Sequence, residues 1–261
     1  MNITTKKLSV LIGVLLSTAI SLKAQFSFVP CNGYNADIVA NGVGAASGSS
    51  TAAMDGAGNV FVAADFNPGS GICAAGVTAL PLSNIVTSTN TANNTGIAYI
   101  LESYAANNAL RLPTATPTGT LTVTTPISAS VIYLLALSGD GAGVMNVTVN
   151  FTDATSETIS NMNVPDWCIN SGTANFGLNG QIYYRIGQTA VTCTGSTCQY
   201  LNEIPVSISS SNWTKAIASI TVTRVSGGIV AVMGVGRKAA CAIPANQATN
   251  LLVGTTTTSS I

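Results

Sequence analysis

The chain contains no histidine, which removes the Ser-His-Asp and Cys-His arrangements in which an imidazole activates a hydroxyl or thiol. Glycoside hydrolysis needs only two carboxyl groups about 5–9 Å apart, and Glu102, Glu157, Glu203 and Asp166 are the ones to consider. Glu102 and Glu157 fall on strand-like stretches among polar neighbours, and Glu203 at the end of a loop. These three are expected to be solvated rather than paired, so this segment is read as non-enzymatic. Binding chemistry is better supplied. A sugar is held by an aromatic face against its ring, with planar polar side chains reading its hydroxyls from loops at one end of a scaffold. The stretch from Asp166 to Tyr200 carries Trp167, Phe176, Tyr183, Tyr184 and Arg185 together with Asn170, Asn175 and Asn179. Asp166, Trp167, Asn170, Tyr183, Tyr184 and Arg185 are therefore the candidate ligand-binding residues. Structural roles compete: Trp167 after Val164-Pro165 also fits a cap on the end of the fold, and Tyr183-Tyr184-Arg185 a strand with one tyrosine buried.

These residues need a scaffold, and the composition points to strands. Of 261 residues, 47% are hydrophobic and only 7% charged, and the remainder is rich in Gly, Thr, Ser and Asn, at home in strands and turns. Val131 to Leu137 is an unbroken apolar run of strand length, followed by turn chemistry over Ser138-Gly139-Asp140-Gly141-Ala142-Gly143. Beyond it Met145, Val147, Val149 and Phe151 alternate with Asn146, Thr148, Asn150 and Thr152, the period-2 pattern of a sheet with one wet face. Further strands are expected at Tyr34 to Ala40, Val60 to Ala63, Ala98 to Ser103, Leu110 to Leu112, Thr118 to Thr125, Ser156 to Ser160 and Ile204 to Ile208. A hairpin over Ile217 to Val235 would turn at Gly227-Gly228. No long amphipathic helix is present in the pattern. The fold class is all-β, an antiparallel β-sandwich with decorated end loops.

The first 24 residues read as an export signal. Lys6-Lys7 form a positive start, Leu8 to Ile20 an apolar stretch too short to span a bilayer comfortably, and Leu22-Lys23-Ala24 a cleavage site. Removing Lys6, Lys7 and Lys23 from 9 basic residues leaves 6 against 9 acidic ones, with no basic stripe to follow a phosphate backbone. Nucleic acid is not an expected partner. The six cysteines, Cys31, Cys73, Cys168, Cys193, Cys198 and Cys241, all follow the signal, as suits up to three disulfides in an oxidising compartment. Cys193 and Cys198 enclose a compact loop and are the first pair expected to join. A zinc site lacks both histidine and Cys-x-x-Cys spacing.

The series Gly33-Tyr34-Asn35-Ala36-Asp37, Asn107 to Leu112, Tyr133-Leu134-Leu135-Ala136, Val147 to Asp153, Val164-Pro165-Asp166-Trp167 and Ile217 to Val225 resembles a galactose-binding-like jelly-roll module. Such modules occur in multi-domain proteins that Gram-negative bacteria export by type IX secretion. The resemblance spans about residues 31 to 237 and rests on no single diagnostic motif. The tail from 238 to 261, with Gln247 to Val253 strand-like, resembles the truncated start of a fibronectin type III or immunoglobulin-like module. The expected organisation is a signal peptide over 1–24, a β-sandwich over 25–237, and a linker with the start of a further module over 238–261. The resemblance implies a secreted or cell-surface accessory module for adhesion or carbohydrate binding. Its partners would be a polysaccharide or glycan surface and other domains of the same parent chain. A structural spacer, or the appendage of a hydrolase whose catalytic domain lies elsewhere, are the other readings. The resemblance also implies one structural calcium on hard oxygen ligands. Asp55 and Asn59, in the loop Asp55-Gly56-Ala57-Gly58-Asn59, with Asp37 near the first strand, are the candidate ligands. Asp-Gly equally suits a plain turn.

Overall fold

The computed structural model describes residues 26–67, 79–89, 95–169 and 200–240, and the backbone of 175–177 and 184–185. In chain order the strands are β1 (Phe26–Phe28), β2 (Cys31–Asn32), β3 (Val39–Ala40), β4 (Asn59–Val62), β5 (Ile85–Thr87), β6 (Ala98–Ile100) and β7 (Leu110–Leu112). They continue with β8 (Thr118–Ile127), β9 (Val131–Phe151), β10 (Ser156–Val164), β11 (Asn175–Gly177), β12 (Tyr184–Arg185), β13 (Tyr200–Ser207) and β14 (Ile217–Lys238). Among the described residues the only helical pieces are single 3₁₀ turns at Ala46–Gly48 and Ser210–Asn212, and no helix is long and apolar enough to cross a membrane. The fold is an all-β sandwich built mainly from antiparallel strands.

Two long strands organise it. The apolar run and the alternating run on either side of Ser138–Gly143 belong to one strand of 21 residues, β9. Likewise β14 runs for 22 residues straight through Gly227-Gly228. Neither expected turn exists. The two strands pair antiparallel from Ile217↔Phe151 to Lys238↔Val131, with register shifts on the way. At the midpoint Gly143 faces Gly227 and Gly139 faces Ile229, so residues 140–142 of β9 oppose Gly228 alone. This is a bulge, and a bulge bends its strand. Asp140 at φ 62° and Gly141 at φ 99° supply the left-handed backbone that it requires.

The bulge also changes which side chains face inward. Ile132, Leu134 and Ala136 before it, and Met145, Val147, Val149 and Phe151 after it, all belong to one buried cluster. The parity has switched from even to odd: residues 140–142 add two to β9 and Val225 adds one to β14, a net offset of one in a period-2 element. The bent ribbon thus folds over itself and encloses this first core between its two halves. One half carries β8, β10 and β2 beside it, and the other carries β7, β13 and β1. A second core covers the opposite side of that latter half: Tyr133, Leu135, Leu137, Ala231 and Met233 pack with Ile38, Val39, Phe61, Tyr99 and Trp167. These covering residues come from the small sheets β12-β4-β3 and β5-β6 and their flanking loops, and for Trp167 from the loop after β10. Among the described residues, the β8-β14-β9-β10 half has no such cover on its outer side. There the first core lies beneath, and the outward positions are exposed on β8 and β10 and half-buried on the central β9 and β14.

Candidate functional site

Of the residues expected to bind a ligand, Trp167 and Asp166 make structural contacts. Trp167 is 7% exposed and packs in the second core. Its N–H donates to the Ser138 carbonyl at 2.8 Å, and its carbonyl accepts from the Tyr200 N–H at 2.8 Å. Asp166 is 8% exposed. One carboxylate oxygen accepts from the Gly141 N–H at 2.6 Å and the other from the Cys168 N–H at 2.8 Å. Asp166 therefore staples the loop to the bulge of β9, which Ser138 reinforces by donating to the Gly141 carbonyl at 2.7 Å. Tyr184 and Arg185 form β12, opposite Val60 and Asn59 of β4. Asn170 and Tyr183 lie outside the described residues, as do Cys193 and Cys198. Cys168 is disulfide-bonded, whereas Cys31 is a buried free thiol. With Cys31 unpaired, five cysteines remain, so the chain can close two internal disulfides and not three.

The expected metal ligands divide. Asp55 and Asn59 come together, but on one another: the Asp55 carboxylate accepts from the Asn59 backbone N–H at 2.8 Å and from its side-chain amide at 2.5 Å. The Asn59 side-chain oxygen, also buried, has no hydrogen-bond partner among the described residues. Asp37 is engaged elsewhere, accepting from the Val39 N–H at 3.0 Å and the Asn108 amide at 2.5 Å. Burial raises the Asp37 carboxyl above its ordinary range, against the lowering effect of those two hydrogen bonds. Among the described residues no three His, Cys, Asp or Glu side chains gather as metal ligands would.

The remaining carboxylates depart from the solvated state expected of them in one clear case. Glu203 is 1% exposed. It faces the second core beside Leu135, and it accepts from the Thr95 hydroxyl at 2.9 Å and the Tyr99 hydroxyl at 2.8 Å. Local sequence polarity could not show this, because both donors lie about a hundred residues away in sequence. Glu157 is half-buried on β10 and holds the 3₁₀ turn after β13 through the Ser209 N–H and hydroxyl and the Asn212 amide. Burial opposes its charge, but these donors together bring its carboxyl below the ordinary range. Glu102 is partly exposed and lies just beyond β6, not on a strand.

What the structure does assemble is a surface. Four strands, β10, β9, β14 and β8, lie side by side with their outward residues in register. Thr158 faces Thr148, Thr148 faces Thr221, and Thr221 faces Thr120, so a row of threonines crosses all four strands. One step along the strands, Ser156, Asn150, Ser219 and Thr122 form a parallel row that Asn32 of β2 extends. On the other side Asn146, Thr223 and Thr118 form a third. Hydroxyls bond across strands at 2.8 Å for Thr148 and Thr158, 2.9 Å for Thr120 and Thr221, and 3.1 Å for Thr118 and Thr223. The Asn150 amide donates to Ser219 and Thr221, each at 3.1 Å. No charged residue stands in these rows. Glu157, between Ser156 and Thr158 on β10, is bonded to Ser209 and Asn212; Lys215 and Asp153 pair with each other at 3.2 Å, and Arg224 donates to the Gly227 and Gly228 carbonyls. The sequence signal for this surface was the alternation of Thr and Asn with buried Val; the register that makes rows of it was not visible there.

Neither the protein-family models nor the curated proteins contain a match to this chain.

Proposed function

We propose that the protein is an exported, non-catalytic module for adhesion to uncharged carbohydrate, with the outer face of β10-β9-β14-β8 as its binding surface. The observation that carries this reading is the set of three in-register rows made only of Thr, Ser and Asn. Such a face offers donors and acceptors to a polyhydroxylated partner with no charge to desolvate, and each threonine adds a methyl group for contact with sugar C–H. The absence of charge also argues against an ionic partner, since charged ligands are recognised by opposed charges. The signal-like N-terminus and the six cysteines that follow it are in keeping with export, and the jelly-roll resemblance supports an accessory role within a larger extracellular protein. Relative to the expectation from sequence, the proposed surface moves from the Trp167 loop to the sheet.

Affinity electrophoresis of the full chain through gels containing neutral glucan, xylan or galactomannan, beside alginate, tests the proposal. Retardation by neutral polymers that persists from low to high salt supports it, because contacts between uncharged groups are not screened. Retardation by alginate alone would refute it, and migration unaffected by every polymer would leave the module a structural spacer.

A further inference from the structure

The rows define a direction, and from it we infer that the surface takes an extended, β-linked, uncharged pyranose chain lying across the strands, along Thr158-Thr148-Thr221-Thr120. This rests on the binding role proposed above and deepens it by naming the conformation of the partner. Neighbouring strands are about 4.8 Å apart, whereas outward residues on one strand recur only every ~6.8 Å. The densest line of hydroxyls therefore runs across the sheet. An extended β-linked chain advances by one ring in roughly the distance that separates two strands, so each ring would meet a fresh threonine of the row. A coiled α-linked chain curves away from the row after one or two rings.

The local chemistry suits that placement. When two threonine hydroxyls share one hydrogen bond, one hydroxyl hydrogen and several lone pairs remain for a third partner. The pairs Thr148–Thr158 and Thr120–Thr221 lie in the same row, on both sides of the central β9-β14 junction. That row consequently presents donors and acceptors at both of its ends, and Asn150 fixes Thr221 from the adjoining row. The flanking rows, Ser156-Asn150-Ser219-Thr122 and Asn146-Thr223-Thr118, supply further hydroxyls and amides on each side. The complementarity is one of neutrality: uncharged rows meet an uncharged chain, with Lys215 and Asp153 compensated at one end and Arg224 occupied at the other.

Titration calorimetry of the full chain with cellohexaose, as the extended probe, and maltohexaose, as the coiled one, tests the inference. The comparison includes a Thr148→Val/Thr221→Val double variant and a Thr87→Val control on the distant strand β5. Valine keeps the shape and strand preference of threonine, and far-ultraviolet circular dichroism with a thermal melt reports whether the variant is folded. The expected result is binding of cellohexaose in preference to maltohexaose. Loss of the two central hydroxyls should weaken cellohexaose binding about tenfold, equivalent to one or two hydrogen bonds, with no change in the control. Equal binding of both sugars, lost together in the double variant, would overturn the extended-chain inference and leave the binding role intact. Undiminished cellohexaose binding by the folded double variant would remove the site from this row. Binding of neither sugar would overturn the inference together with the reading on which it rests.

Discussion

Cys31 takes its chemistry from its surroundings. Burial in the first core, with a smaller contribution from Glu102, pushes its thiol up to about 12, and its sulfur donates to the Val29 carbonyl. A thiol so protonated lacks the thiolate that alkylation needs. Iodoacetamide at pH 8 should leave Cys31 unmodified in the folded protein and label it once denaturant is added, as peptide mass mapping would show. Asp153 lies at the opposite extreme. The Thr155 hydroxyl and backbone N–H, then Lys215, hold its carboxyl down to about 2. Its folded-state pKa is below the ordinary Asp value near 3.9, so its stabilising effect is present above about pH 4 and is lost as pH falls toward 2. Asp153→Asn should flatten the melting temperature across that window and leave it unchanged in slope at neutral pH. Glu203 was misread from sequence for a physical reason: whether a carboxylate is solvated depends on what folds over it. Here Thr95 and Tyr99 arrive from a different sheet region. Tyr99→Phe should cost ~1–2 kcal/mol in chemical denaturation by removing one buried hydrogen bond, and Glu203→Ala about 3 kcal/mol by orphaning two hydroxyls.

Strand character was legible in the sequence on both sides of Ser138–Gly143, because period-2 alternation and an apolar run are direct consequences of a pleated chain. The connection between them was not. A hairpin turn and a β-bulge ask for the same residues, those that tolerate positive φ, so Gly139-Asp140-Gly141 could not distinguish them. The partner strand decides the matter: Gly227 and Gly228 of β14 arrive at the same level and leave room for the bulged backbone. A Cβ on Gly228 would collide with the carbonyl oxygens of Gly139 and Gly141, whereas one on Gly141 meets nothing within 4 Å. Gly228→Ala should therefore destabilise by ~3 kcal/mol or more, and Gly141→Ala only by the roughly 1–2 kcal/mol of its left-handed backbone. A comparison of urea midpoints would separate the two. Equal, small losses would mean that the bend does not depend on close backbone approach at Gly228. The loop from Pro165 to Cys168 belongs to this same element, since Asp166 grips the bulge at Gly141, and that grip explains why Asp166 and Trp167 are buried rather than presented.

Among the described residues, burial divides the bent ribbon into one half with cores on both sides and one half with a core beneath and an open face above. That division was half-written in the sequence. The unbroken apolar run of Val131 to Leu137 signals a strand covered on both sides, and the alternation of 145–151 signals one covered on one side only. The row structure of the open face was not legible, since its members come from β8, β9, β10 and β14 and align only through long-range register. The low charge of the chain follows the same logic: the outer face presents hydroxyls and amides rather than ions. Threonine-methyl and tryptophan-indole NMR of the full chain, titrated with cellohexaose and then with maltohexaose, tests the central claim most directly. The account expects the methyl signals of Thr120, Thr148, Thr158 and Thr221 to shift with at least one sugar, while the Trp167 indole stays in place. Shifts at Trp167 with the row threonines unmoved, or no shift with either sugar, would contradict it.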